Sequence, residues 1–134
     1  MRPISRYWYG TYRYSGGSFA GLKFPASMPD CNFRAEIVVA ENGGVSGTIA
    51  DEMGYDRPAV LEGSFDGVTL RFIKYYAHQI GPTGQPAHPI EYIGTLSDDG
   101  TMLSGTWIIN AKSLFIIPVT TEGIWQAMPY MPAM

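Results

Sequence analysis

Asp51, Lys74, Tyr76 and Tyr92 are the residues of this sequence whose types and spacing could do chemistry. Lys74 and Tyr76 are two apart, so on an extended strand both point to one side, and His78 follows at the same spacing. A lysine and an aspartate turned into an apolar interior must find partners, because an unpaired buried charge is expensive. Together the four could form a polar cluster at a cavity mouth, Asp51 orienting Lys74 and tyrosine hydroxyls binding a ligand oxygen. In an enzyme, a desolvated Lys74 would be base or nucleophile, with Tyr76 or Tyr92 as general acid. The plainer alternative is an Asp51–Lys74 ion pair that plugs the interior, or a Lys74 that snorkels to the rim.

These residues must be positioned by strands. Apolar side chains recur with period two nearly throughout, and no long helical pattern interrupts them. Strands are expected over 6–14, 33–40, 45–51, 59–65, 68–78, 90–97, 102–110 and 122–128. Turn chemistry separates them, with Asn-Gly at 42–43, Asp-Gly at 66–67 and Asp-Asp-Gly at 98–100. The segment 114–119 is apolar but holds Pro118, which makes it an edge segment or a packed loop. Two longer stretches, 15–30 and 79–89, are rich in Gly, Pro or Ser and are candidate lids.

A glycine precedes a large apolar residue by two positions in strand after strand: Gly47 and Ile49, Gly63 and Phe65, Gly94 and Leu96, Gly105 and Trp107, Gly123 and Trp125. Each pair shares a face, and alternation of small with large residues fits a tapered barrel interior. Glycine also permits the sharp coiling that closure requires. The expected fold is therefore all-β: an eight-stranded antiparallel up-and-down barrel filling one domain over 1–134, with a flat sandwich as the alternative. The same parity turns Tyr12, Tyr14, Asp51, Phe65, Phe72, Lys74, Tyr76, Tyr92, Trp107 and Trp125 inward as the candidate ligand-binding set. Trp8, Phe65, Trp107 and Trp125 could form an aromatic wall, or plain core. Tyr7, Tyr9, Val38, Ile73, Ile93 and Ile108 fall outward, which suggests a homo-oligomer.

In strand order, "YWYGTY", "GVSGTI", "LEGSF", "EYIGTL", "LSGTW" and "EGIWQAM" resemble the calycin superfamily, and within it the avidin-like and lipocalin-like barrels. The chain is also similar to a group of small bacterial proteins carrying G-x-I-x-D, F-x-K-x-Y and Y-x-G…S-G-T-W, here from Gly47, Phe72 and Tyr92 onward. The resemblance implies the fold and leaves function to the site. The Ser, Tyr, Asn and Asp set by which avidins contact biotin has no position-by-position counterpart, although Trp107 falls near a comparable strand. In the first strand Gly10 follows Trp8, where lipocalins place the glycine before the tryptophan.

Composition excludes several classes. A net charge of −3 without a basic stripe argues against nucleic acid as partner. No apolar run approaches the ~20 residues of a membrane helix. Cys31 is the single cysteine and cannot form an internal disulfide; its plain reading is a small, part-buried residue. His78 and His88 read as loop histidines, so neither a metal nor any other cofactor is expected. A cytoplasmic location is expected, and a processed secreted form would look the same. The leading reading is a barrel that binds a small apolar or aromatic molecule bearing at least one oxygen. The rivals are a cofactor-independent isomerase, cyclase or lyase, and a filled barrel serving assembly.

Overall fold

A computed structural model describes residues 4–19, 22–25, 30–52, 58–76, 89–112 and 118–132. Its strands are β1 (Tyr7–Phe19), β2 (Leu22–Pro25), β3 (Cys31–Val39), β4 (Gly44–Asp51), β5 (Ala59–Phe65), β6 (Thr69–Tyr75), β7 (Ile90–Leu96), β8 (Leu103–Lys112) and β9 (Pro118–Pro129). All pairings are antiparallel and follow chain order from β3 to β9, and β1 pairs with both β3 and β9. Eight strands thus close into an up-and-down barrel. A sandwich would leave two edges on each sheet, and closure leaves none in the ring.

The first strand is longer than the expected 6–14. It continues to Phe19 because a bulge between Tyr14 and Gly16 keeps it paired with β9 as far as Val119. Its far half also carries the short strand β2, Gly16 opposite Pro25 and Phe19 opposite Leu22. Of the candidate lid 15–30, residues 15–19 and 22–25 are therefore ladder. β9 likewise starts early, at Pro118, where a missing N–H is tolerated as the first residue of a strand. Conversely, β6 ends at Tyr75 rather than running to 78. His78, His88 and nearly all of the candidate lid 79–89 lie outside the described residues.

One end of the barrel is closed by three short turns. In the first, Asn42 Oδ1 accepts a hydrogen bond from the Gly44 N–H at 2.8 Å, beside Gly43 at φ 87°. In the second, Asp66 Oδ1 accepts from the N–H groups of Val68 (2.9 Å) and Thr69 (2.7 Å), flanking Gly67 at φ 99°. These left-handed positions explain the glycines there. In the third, hydroxyls of Thr101 and Ser97 donate to Asp99 and hold its carboxyl down at about 2. Trp8, Ile37, Val45, Phe65, Leu70, Leu96 and Leu103 fill the interior at this end, all nearly inaccessible.

The interior glycines have two separate causes. At Gly47, Gly63, Gly105 and Gly123 an added Cβ would run into the backbone carbonyl of an adjacent strand (Glu36, Arg71, Ile93 and Arg13 respectively), which marks tight coiling. At Gly94 and Gly123 it would also strike an indole, of Trp125 and Trp107. Register shows why. Gly94, Gly105 and Trp125 lie in one row across β7, β8 and β9, so the Trp125 ring covers both glycines. Trp107, Gly123 and Tyr14 form the next row, and Trp107 meets Tyr14 over Gly123, ring centroids 4.8 Å apart.

The outward residues do not make one patch. Ile73, Ile93, Ile108 and Ile124 occupy the outer face of β6 to β9, interspersed with Glu91, Thr106 and Glu122. Tyr9 pairs with Met128 on the β1–β9 side, and Tyr7 packs on Tyr130. Val38 stands separately on β3, 40% exposed.

Candidate functional site

Strand direction decides whether the polar residues meet. Asp51 ends β4, Lys74 and Tyr76 lie at the end of β6, and Tyr92 is near the start of β7. In an up-and-down barrel the end of an even-going strand and the start of the next share one rim, so all four gather opposite the closed end. The chain segments joining strands at this rim fall largely outside the described residues.

Lys74 Nζ donates to Asp51 Oδ2 at 2.5 Å, with side chains only 2% and 4% exposed. Strand β5 separates their strands, so the two can meet only through the lumen. Tyr76 donates its hydroxyl to the same oxygen at 2.9 Å. The lysine reaches across the barrel as well: its ammonium lies 5.3 Å from the Tyr12 ring centroid and 5.6 Å from that of Tyr76. The expected pair is therefore present, buried and flanked by aromatic faces.

Its hydrogen bonding is unevenly distributed. Two donors converge on Asp51 Oδ2, while Oδ1, equally buried, has no partner. The tryptophans show the same asymmetry. Trp8 donates to the Ser5 carbonyl at 2.6 Å, and Trp125 to the carbonyls of Ile93 and Thr106 at 3.1 and 3.2 Å. Trp107 Nε1 is buried without an acceptor. Buried polar atoms are seldom left unmet, and each one costs on the order of 1–3 kcal/mol. Asp51 on β4 and Trp107 on β8 stand half a turn of the barrel apart, so the interior carries one unmet acceptor and one unmet donor on opposite walls.

Aromatic rings line the rest. Tyr12 stacks on Phe33 at 6.2 Å and meets Trp107 edge-on at 6.1 Å. Phe72 and Tyr92 stack at 4.7 Å and 10°, with Trp125 edge-on to both. Burial, reinforced by the Asp51 charge, pushes the phenols of Tyr12 and Tyr92 well up, and burial raises that of Tyr14. The tyrosines therefore stay neutral, and with Lys74 balancing Asp51 the cluster has no net charge.

Of the candidate set, Tyr12, Tyr14, Asp51, Lys74, Tyr76, Tyr92 and Trp107 come together toward this rim. Phe72 and Trp125 pack against Tyr92. Phe65 sits beside the Asp66 turn at the closed end, with Trp8. Sequence reasoning passed over Phe33 and gave Cys31 no role; Cys31 is buried, and its thiol bears on Tyr12. Both share inward parity with Ala35 and Ile37, the signal that would have found them. Among the described residues no three His, Cys, Asp or Glu side chains are placed to hold a metal ion.

The fold is an avidin-like eight-stranded barrel, and its interior holds the buried Lys74–Asp51 pair. The crystal structure of rhizavidin matches it with a TM-score of 0.52, over 94% of this chain and 86% of that one, at 16% identity. At this identity the likeness is one of fold. No protein-family model matches the chain, and no curated protein matches it.

A double-mutant cycle tests the pair. Lys74→Met alone leaves a buried carboxylate without its cation and should cost about 3–5 kcal/mol in urea unfolding. Lys74→Met with Asp51→Leu should recover most of that loss. A single-variant cost below ~1 kcal/mol, the range of exposed pairs, would show that the pair is not buried.

Proposed function

We propose that the protein binds a small apolar or aromatic molecule inside its barrel, toward the rim opposite the three tight turns. The observation that carries this reading is the pair of buried, unmatched polar atoms, Asp51 Oδ1 and Trp107 Nε1, in an aromatic-lined lumen. A ligand pocket has this makeup, mostly apolar walls with a few placed polar groups. A barrel filled for assembly alone has no use for two unmet polar atoms in its core, because apolar side chains of similar size would avoid their cost. Catalysis draws less support, since the Lys74 ammonium is engaged by Asp51 and by two tyrosine faces.

Ligand-observed NMR with a panel of small aromatic molecules, each carrying one polar group, tests the reading. Saturable binding is expected, weakened at least about tenfold by Trp107→Ala, equivalent to roughly 1.4 kcal/mol. No saturable binding by any member would contradict it.

We also propose that a second copy covers the outer face of β6 to β8. Ile73, Ile93 and Ile108 there flank a shallow groove of about 470 Å³. Light scattering should give at least twice the 14.7 kDa chain mass, and Ile93→Lys should lower it. A monomer at micromolar concentration would remove the proposal.

A further inference from the structure

The unmatched atoms specify more than the presence of a ligand. We infer that the ligand is an uncharged planar aromatic molecule with a hydroxyl or N–H donor for Asp51 Oδ1 and a carbonyl-type acceptor for Trp107 Nε1, and that the site rejects carboxylates. This rests on the ligand-binding reading above and narrows it to a chemical class.

The donor requirement follows from the asymmetry at Asp51. Lys74 and Tyr76 both serve Oδ2, so Oδ1 is the acceptor left open, and an ionised carboxylate oxygen can only accept. A guest that displaces water from Oδ1 without returning a hydrogen bond loses affinity, because the acceptor is then buried and unmet. Trp107 sets the complementary requirement, since an indole N–H can only donate. Rotation cannot easily supply another partner. Its ring is held edge-on to Tyr14 at 4.8 Å and to Tyr12 at 6.1 Å, against the space left by Gly123.

The rejection of anions follows from charge. Lys74 is the sole buried cation among the described residues, and Asp51 already neutralises it. A ligand carboxylate would meet a second carboxylate in a medium that screens poorly, with neutral tyrosines around it. Planarity follows from the walls: Phe72 and Tyr92 are nearly parallel, at 10°, with centroids 4.7 Å apart. A flat guest can extend such a stack at low cost in conformational freedom.

Isothermal titration of the intact protein at mildly acidic pH, where a hydroxycoumarin keeps its proton, tests this with four probes. Umbelliferone carries both the donor and the acceptor. Its methyl ether lacks the donor, naphthol lacks the lactone acceptor, and coumarin carboxylic acid is an anion. Umbelliferone should bind at least about tenfold tighter than the methyl ether and the carboxylate. Trp107→Phe, which removes the N–H and leaves a smaller aromatic ring, should weaken umbelliferone and its ether alike, and both by more than it weakens naphthol. This comparison needs no change at Asp51, whose replacement risks unfolding. Equal binding of all four would overturn the inference and leave the ligand-binding reading standing. Tightest binding of the carboxylate would overturn it too, and would make Lys74 the recognition group. Binding of none would overturn both readings together.

Discussion

A sheet that ends in open strands exposes rows of unpaired N–H and C=O groups, and here β1 and β9 remove them by pairing from Trp8–Pro129 to Phe19–Val119. Everything inside the barrel depends on that closure. To coil tightly enough, the strands bring backbones so near each other that Gly47, Gly63, Gly105 and Gly123 have no room for a Cβ. On β7 to β9 the space of the missing side chains is taken by rings from neighbouring strands. Trp125 lies over Gly105 and Gly94, and Trp107 reaches Tyr14 over Gly123. Closure and aromatic filling are one construction, in which glycines in the wall and tryptophans in the lumen require each other.

The two ends of the barrel are built differently. At the end with three tight turns, inward positions are filled by apolar side chains from Trp8 to Leu103, and among the described residues no polar side-chain atom there is buried without a partner. At the opposite rim the same inward parity delivers a lysine, an aspartate and four tyrosines. Burying Lys74 and Asp51 forfeits hydration worth several kcal/mol per ion, which their mutual attraction offsets only with good geometry and further hydrogen bonds. Oδ2 has those bonds and Oδ1 does not. A fold selected for stability alone would place Leu or Met at these positions. Polar groups there in spite of their cost support the proposal that this end recognises a guest.

Much of this was legible in the sequence because a strand alternates with period two. Once a glycine and its apolar neighbour were assigned to the inside, the faces of Asp51, Lys74, Tyr76 and Tyr92 followed, and the strand directions brought them to one rim. The extension of β1 was not legible, because Ser15, Gly16 and Gly17 carry no apolar signal and their pairing comes from a distant segment of β9. β2 was missed for another reason, being only four residues held by β1 alone. Nor could the sequence distinguish a satisfied ion pair from an incompletely satisfied one. Which oxygen of Asp51 receives both donors depends on side-chain geometry, which periodicity does not encode. Cys31 and Phe33 were overlooked because they seemed ordinary core, although their parity matched that of the site.

The central claim is that one end of the barrel is a filled core while the other holds a polar pair completed by a guest. A crystal structure of the unliganded protein, at a resolution that shows ordered water, addresses it most directly. The account predicts solvent hydrogen-bonded to Asp51 Oδ1 and to Trp107 Nε1, in space that a ligand could take over. Protein groups closing on both atoms, with no solvent between the rings, would contradict it and leave a filled barrel.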